Sequence, residues 1–284
     1  MAAGNATRLR PASIGCSKHL MLLYDKPMIY YSLSTLMLAG IRKILIVVNN
    51  KFKKNYVDLL KDGRQFGLEI NYLEQAEPNG VADVFLIAEN FIKGHKIALI
   101  LGDNIFHGTN LRNFLKEGVN NKKGAMIFAY NVKNVSKYGA VTLNSNNQPI
   151  KLEEKPITKK DSYAVPGIYF FDKSVLNKAK KITPSKRGEL EITDINKIYL
   201  KEKKLNVKIM GRGMSWFDIG EIDSFIEASN FVRTIQNRQG LIIGCPEEIA
   251  WRNNWISSED FLNSLNKTAM SQYEKYIVQL LKKK

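Results

Sequence analysis

Asp103 ends the apolar run Lys96-Ile97-Ala98-Leu99-Ile100-Leu101-Gly102 at the point where a glycine breaks it. A carboxylate leaving the carboxyl end of a buried strand is well placed to hold Mg²⁺ against a polyphosphate. The same residue could equally cap the following turn through its side-chain oxygen. A second carboxylate, Asp218, sits between an aromatic and a glycine in Gly213-Met214-Ser215-Trp216-Phe217-Asp218-Ile219-Gly220. It reads as a second metal ligand or as the N-cap of a helix starting near Glu221. At the amino terminus, Ala3-Gly4-Asn5-Ala6-Thr7-Arg8 is a loop of small residues. Its backbone amides could face phosphate oxygens, with Arg8 adding a charged fork, although small residues also make ordinary turns. Lys18 is a further candidate phosphate ligand or one more surface lysine.

Positioning such groups requires a sheet. Uniformly apolar runs at 43–48 and 96–101 read as strands buried on both faces, as in a parallel sheet. Strands near 69–73, 125–130, 167–171 and 205–210 alternate with helices near 31–39, 53–62, 81–92, 109–119 and 189–203. That alternation predicts an α/β fold with crossover helices. Residues 138–143 and 150–152 flank the polar turn Asn144-Ser145-Asn146-Asn147 and predict a hairpin. It leads into Glu153-Glu154-Lys155-Pro156, where carboxylates could accept bonds from sugar hydroxyls and lysine could meet a phosphate, or the run could be a solvated loop. Gln75 ends its strand with an amide able to donate and accept toward a pyrimidine edge, or to cap the next helix. Helices near 221–239, 246–253, 258–266 and 269–282 complete the chain. The last carries Tyr273, Tyr276, Ile277, Leu280 and Leu281 on one face, for core packing or a subunit contact.

The chain of 284 residues is 44% hydrophobic and carries a formal charge of +16. Lysine outnumbers arginine roughly threefold, and the lysine clusters lack the interleaved aromatics of a base-stacking surface. The charge therefore reads as a solvated surface compatible with anionic small substrates, and no nucleic-acid partner is expected. No apolar stretch approaches the ~20 residues that span a bilayer, so no membrane partner is expected either. Cys16 and Cys245 form no metal or disulfide pattern, which fits a cytoplasmic protein.

Five stretches, taken in order, resemble the glucose-1-phosphate thymidylyltransferases of the sugar-nucleotidyltransferase group. They are Tyr24-Asp25-Lys26-Pro27-Met28-Ile29-Tyr30-Tyr31, Leu101-Gly102-Asp103-Asn104-Ile105-Phe106, Leu152-Glu153-Glu154-Lys155-Pro156, Arg187-Gly188-Glu189-Leu190-Glu191-Ile192-Thr193-Asp194 and Cys245-Pro246-Glu247-Glu248-Ile249-Ala250-Trp251-Arg252. The resemblance implies a three-layer, Rossmann-like, mostly parallel sheet in a nucleotidyltransferase core, 1–240, with a helical C-terminal extension, 241–284. It implies transfer of a thymidylyl group from dTTP to glucose 1-phosphate, with Mg²⁺ on Asp103 and Asp218 and with Arg8 and Lys18 in the catalytic set. It assigns Ala3, Gly4, Ala6, Thr7, His19, Gln75, Gly80 and Asn104 to the nucleotide, and Gly139, Glu154, Lys155, Val165 and Arg187 to the sugar phosphate. Glu248 and Arg252 match a regulatory nucleotide site of longer members, which are homotetramers.

The match has departures. The family's first strand is absent ahead of the loop, which predicts two central strands left without a neighbour. Ala3 and Ala6 replace glycines, and a positive φ at either would cost ~1–2 kcal/mol. His19 replaces a base-contacting glutamine, leaving thymine and uracil undecided, and Asp83 replaces an uncharged glutamine. Two alternatives follow: a paralogue that binds nucleotide sugar without turnover, and, on charge alone, a nucleic-acid binder.

Overall fold

A computed structural model describes residues 1–157, 162–263 and 270–282. The ends expected near 266 and 269 for two C-terminal helices lie outside the described residues. Strands β1 (Lys43–Val48), β2 (Glu69–Glu74), β3 (Ile97–Ile100), β4 (Asn104–Gly108), β5 (Ala125–Tyr130), β6 (Gly139–Leu143) and β7 (Pro149–Glu154) occupy the first half. Strands β8 (Ser162–Ala164), β9 (Ile168–Phe171), β10 (Leu205–Met210) and β11 (Met214–Asp218) follow.

The hydrogen bonds order one central layer. β2 pairs parallel with β1, whose carboxyl end meets Ala2 in a parallel bridge. Met1 then joins β3: its amine donates to Ile100 O at 2.8 Å, and Gly102 N donates back to Met1 O at 2.8 Å. β3 pairs antiparallel with β9, β9 antiparallel with β5, and β5 parallel with β10. Every strand of the layer thus runs one way except β9. The mostly parallel expectation holds, and β9 is the reversal that it does not anticipate.

Period-2 alternation explains why these strands look apolar throughout. Ile44, Ile46 and Val48 of β1 and Phe128 of β5 face one core; Val47, Ala125, Ile127 and Ala129 face the other. The first core is closed by helices α1 (Ile29–Leu38), α2 (Lys53–Leu60) and, further on, α5 (Leu111–Asn120). The second is closed by the short helices α3 (Val84–Ile87) and α4 (Glu89–Ile92), with α6 (Val175–Ala179) and α7 (Ile192–Lys201). The expected single helix over 81–92 is broken at Ala88 into α3 and α4.

The expectation of two unpartnered central strands is met only in part. Met1 and Ala2 fill the carboxyl end of the gap between β1 and β3. Below them a cavity of about 260 Å³ remains, lined by Leu45, Val47, Phe85, Phe91, Ile97 and Leu99 among others.

The smaller sheet β8-β6-β7 branches from β5 at the Ala164–Tyr130 bridge. β4 and β11 pair only with each other, as an antiparallel ribbon that sequence patterning does not announce. Helix α8 (Ile222–Gln239) follows the ribbon; its N-cap is Glu221, which exchanges capping bonds with Ser224. The N-cap alternative for Asp218 is therefore corrected: Asp218 is the last residue of β11. Helices α9 (Pro246–Arg252), α10 (Ser258–Asn263) and α11 (Gln272–Lys282) build a fourth apolar cluster around Trp251, Phe261, Ile277 and Leu280. Ala250 inserts into the first core, and Tyr273 packs edge-on against Tyr30 of α1.

Candidate active site

The β4–β11 ribbon brings the two acids together. Its last rung pairs Asn104 with Asp218, and Ile219 N donates to Asp103 O at 3.0 Å. Asn104, only 1% exposed, donates through Nδ2 to Asp103 Oδ1 at 2.9 Å and to Asp218 Oδ1 at 3.3 Å. Its Oδ1 accepts from Gly167 N at 2.9 Å and from Trp216 Nε1 at 2.6 Å. Two acids 115 positions apart in sequence thus rest on one amide nitrogen, and that amide is fixed by two donors behind it.

Their electrostatics differ. Lys18 forms an ion pair with Asp103. Burial raises the Asp103 carboxyl, but the Lys18 charge and the bonds from Lys18 and Asn104 outweigh it, and the net shift is downward. Asp218 is pushed up, first by burial and then by the charge on Asp103. A pair in which one acid resists ionisation beside the other is a pair that a divalent cation would relieve. Among the described residues no group of three or more His, Cys, Asp or Glu side chains gathers to hold a metal. Two carboxylates suit Mg²⁺, which is commonly held by one or two of them with water and phosphate oxygens filling the remaining positions.

Ala6 adopts φ 46° and ψ 43°, the left-handed region foreseen as costly, whereas Ala3 does not. Ser13 Oγ donates to Ala6 O at 2.8 Å and holds the turn. Gly4, Asn5 and Ala6 line a cavity of about 290 Å³ with Ser17, Lys18 and Asn49; Thr7 opens the next helical turn. The Arg8 side chain, 63% exposed, donates to Glu221 Oε1 at 3.0 Å, while Lys137 holds Glu221 Oε2 at 2.8 Å. Glu221 and Lys137 have no sequence signal of their own.

His19 does not stand in the open. It is 2% exposed, and its Nδ1 lies 3.3 Å from Ser17 Oγ and 3.2 Å from Tyr56 OH. Burial, then the charge of Lys18, lowers its pKa to about 3, so the ring is neutral. Gly102 is needed above it: a β-carbon there would lie 2.7 Å from His19 Cδ2. Gln75 follows β2, is 5% exposed, and donates to Asp83 Oδ2 at 2.8 Å and to Gly80 O at 3.4 Å.

The sugar-phosphate candidates gather on the second sheet and α7. Gly139 pairs with Glu154 across β6–β7, and Val165 N donates to Gly139 O at 2.8 Å. Glu154 Oε2 accepts from Thr193 Oγ1 at 2.5 Å, a partner that a threonine in the first turn of a helix does not advertise. Lys155 has positive φ and an exposed side chain. Arg187 is committed to carboxylates: Glu191 at 2.8 Å, Glu189 at 3.0 Å and Glu154 at 3.9 Å. The buried Tyr169 phenol is pushed up first by burial and then by the charges of Glu154, Asp218 and Asp103. Glu248 and Arg252 lie on α9, outside this cluster; Glu248 accepts from Arg252 Nε at 2.7 Å and from Tyr276 OH at 2.7 Å.

Comparison with known proteins gives the family and the fold. Residues 1–235 match the sequence model of the nucleotidyl transferase family. A Neisseria meningitidis glucose-1-phosphate thymidylyltransferase is 47% identical over 283 residues, covering 100% of this chain and 98% of the relative. The Mycobacterium tuberculosis enzyme of the same name is 44% identical with the same coverage. A crystal structure from Bacillus anthracis, assigned as a glucose-1-phosphate thymidylyltransferase and bound to sucrose, superposes with a TM-score of 0.76 at 35% identity. It covers 82% of this chain and 93% of its own. A UDP-glucose pyrophosphorylase structure at 23% identity and TM-score 0.72 shares the fold.

Proposed function

The chain belongs to the nucleotidyl transferase family, among its glucose-1-phosphate thymidylyltransferases, and from that premise we propose that it joins dTTP and glucose 1-phosphate into dTDP-glucose and pyrophosphate. A phosphate oxygen of glucose 1-phosphate attacks the α-phosphorus of dTTP, and the bond to the β-phosphate breaks. No group on the protein need form a covalent intermediate, so positioning and charge neutralisation carry the rate. The observation behind this reading is the convergence of Asp103 and Asp218 on Asn104 at the carboxyl end of the sheet.

Asp103 and Asp218 would hold Mg²⁺, which when bound neutralises charge on the α-phosphate. Lys18, now paired with Asp103, and Arg8, on Glu221, would offset charge on the departing pyrophosphate. The amides from Ala3 to Thr7 would line the triphosphate, and Gln75 with the Gly80 backbone would meet the base. Thr193 holds Glu154 Oε2, and Glu154 Oε1, only 3.9 Å from Arg187, would accept from a sugar hydroxyl. Lys155 and Arg187 would receive the sugar phosphate, Arg187 by leaving one of its three carboxylates. We further propose a 1–240 transferase core with a 241–284 extension, a cytoplasmic homotetramer, and a regulatory role for Glu248 and Arg252. Among the described residues no helix is long and apolar enough to cross a membrane.

The test is pyrophosphate release with dTTP, glucose 1-phosphate and Mg²⁺. Turnover that is abolished in Asp103→Asn and Asp218→Asn supports the assignment; undiminished turnover in either variant, with the fold retained, rejects it. The left-handed Ala6 favours the second reading, a nucleotide-sugar binder without turnover. Calorimetric binding of dTDP-glucose with no pyrophosphate release would select it.

A further inference from the structure

Asp83 is a buried carboxylate, 7% exposed, that the reaction does not use. Its Oδ2 accepts from Gln75 Nε2 at 2.8 Å, and neither side chain reaches solvent freely. We propose that Asp83 is a positioning residue that fixes which end of the Gln75 amide meets the base, and so selects pyrimidines bearing a hydrogen on N3. This rests on the nucleotide-binding reading given above.

A glutamine amide can turn over, exchanging its donor and acceptor ends at little steric cost. Asp83 Oδ2 is the acceptor that takes the NH₂ end, at 2.8 Å. The Gly80 carbonyl at 3.4 Å is a second acceptor on the same side. Turning the amide over would set its oxygen against both. The loop cannot easily retreat from this arrangement. Gly80 has φ +105°, and a β-carbon on it would lie 2.5 Å from Leu190 O. Leu190 N donates to Asn79 O at 2.7 Å, and Ala82 N donates to Leu190 O at 3.1 Å, pinning the turn on both sides of Gly80.

With both hydrogens directed at Asp83 and Gly80, Gln75 has its carbonyl oxygen left to offer. That oxygen accepts no hydrogen bond among the described residues. Gln75 stands at the correct edge for a base: its N donates to Val48 O at 2.9 Å, and Val48 bridges to Ala2, just before the phosphate-loop residues. An acceptor there pairs with the N3–H of thymine or uracil and opposes the N3 lone pair of cytosine. It does not separate thymine from uracil, and Asp83, with the Gly80 carbonyl, is what holds the amide in this sense.

The experiment measures equilibrium binding of dTTP and dCTP by calorimetry, with pyrophosphate release recorded separately. The wild-type protein should prefer dTTP by about tenfold or more, because a mismatched buried acceptor is left unpaired. Asp83→Asn can donate to a turned-over Gln75, and its preference should fall to within about threefold. An undiminished dTTP preference in folded Asp83→Asn overturns the proposal. Should that variant not fold, the wild-type protein is titrated with N3-methylthymidine triphosphate: a tenfold loss supports the acceptor assignment and equal affinity overturns it. Absence of pyrophosphate release alongside the binding preference would sink the transferase reading and leave this one standing.

Discussion

The two ends of the gap between β1 and β3 are built on opposite principles. At the carboxyl end Met1 and Ala2 complete the layer, and beside them Lys18, Asp103, Asn104, Asp218 and Trp216 form a polar network in which Asn104 has every donor and acceptor in use. At the amino end the same two strands face an apolar cavity of about 260 Å³ with no strand between them. The chemistry needs only the first end to be exact to within a hydrogen bond. The second end carries none of the candidate site residues. Site precision and sheet completeness are therefore separable properties of this fold.

The comparison can be broken most sharply at the acids. Asp103→Asn and Asp218→Asn should each lower pyrophosphate release about 100-fold or more, with unchanged circular dichroism, because the loss is confined to the charged end. Truncating Asn104 probes whether that end also carries stability. Asn104→Ala leaves Trp216 Nε1 and Gly167 N without their acceptor, for a loss of roughly 3 kcal/mol in urea unfolding. Mg²⁺ affinity, read by calorimetry, should fall about tenfold with it. Binding of Mg²⁺ should also weaken toward acid, beginning at a higher pH than an ordinary carboxylate would give, since the Asp218 pKa is raised.

The Met1 amine, where the completed end of the gap meets the cavity, should report on stability. Burial lowers the Met1 amine from 8.0 to about 6. A base whose pKa is depressed on folding binds its proton more readily unfolded, so stability is full above pH 8 and declines as pH falls toward 6. The change should be roughly 2 kcal/mol, seen as a falling Tm. Fusing five consecutive apolar residues ahead of Met1 turns that amine into an amide and supplies a strand for the slot. Tm should rise by several degrees and this pH dependence should vanish, with turnover per folded molecule within about twofold. The smallest effect is expected at Ala6→Gly, which relieves the left-handed alanine for at most about 1 kcal/mol in the same unfolding assay.

The central layer was legible because strands buried on both faces carry continuous apolar runs, and 43–48 and 125–130 sit where those runs predict. Asp103 was legible for the same reason, as the polar residue at the end of such a run. The β4–β11 ribbon was not. Its rungs join residues more than a hundred positions apart, and Asn104–Gly108 is short, mixed and flanked by turns, so no local pattern declares it. Asn104 accordingly read as a ligand contact by resemblance, when its side chain is spent on positioning. His19 and Arg187 mark the same limit from the other side: the resemblance implied ligand contacts, while packing turns one inward and surrounds the other with acids. Contacts between distant stretches are invisible to spacing.

One property of the ribbon governs how far apart the two acids stand. Asp103 directly precedes β4 and Asp218 closes β11, so a single ladder rung sets the interval between the two carboxylates. Neither acid belongs to the central layer or to the sheet bearing Glu154. A cation bound between them would find both carboxylates held to one preset span before any substrate arrives.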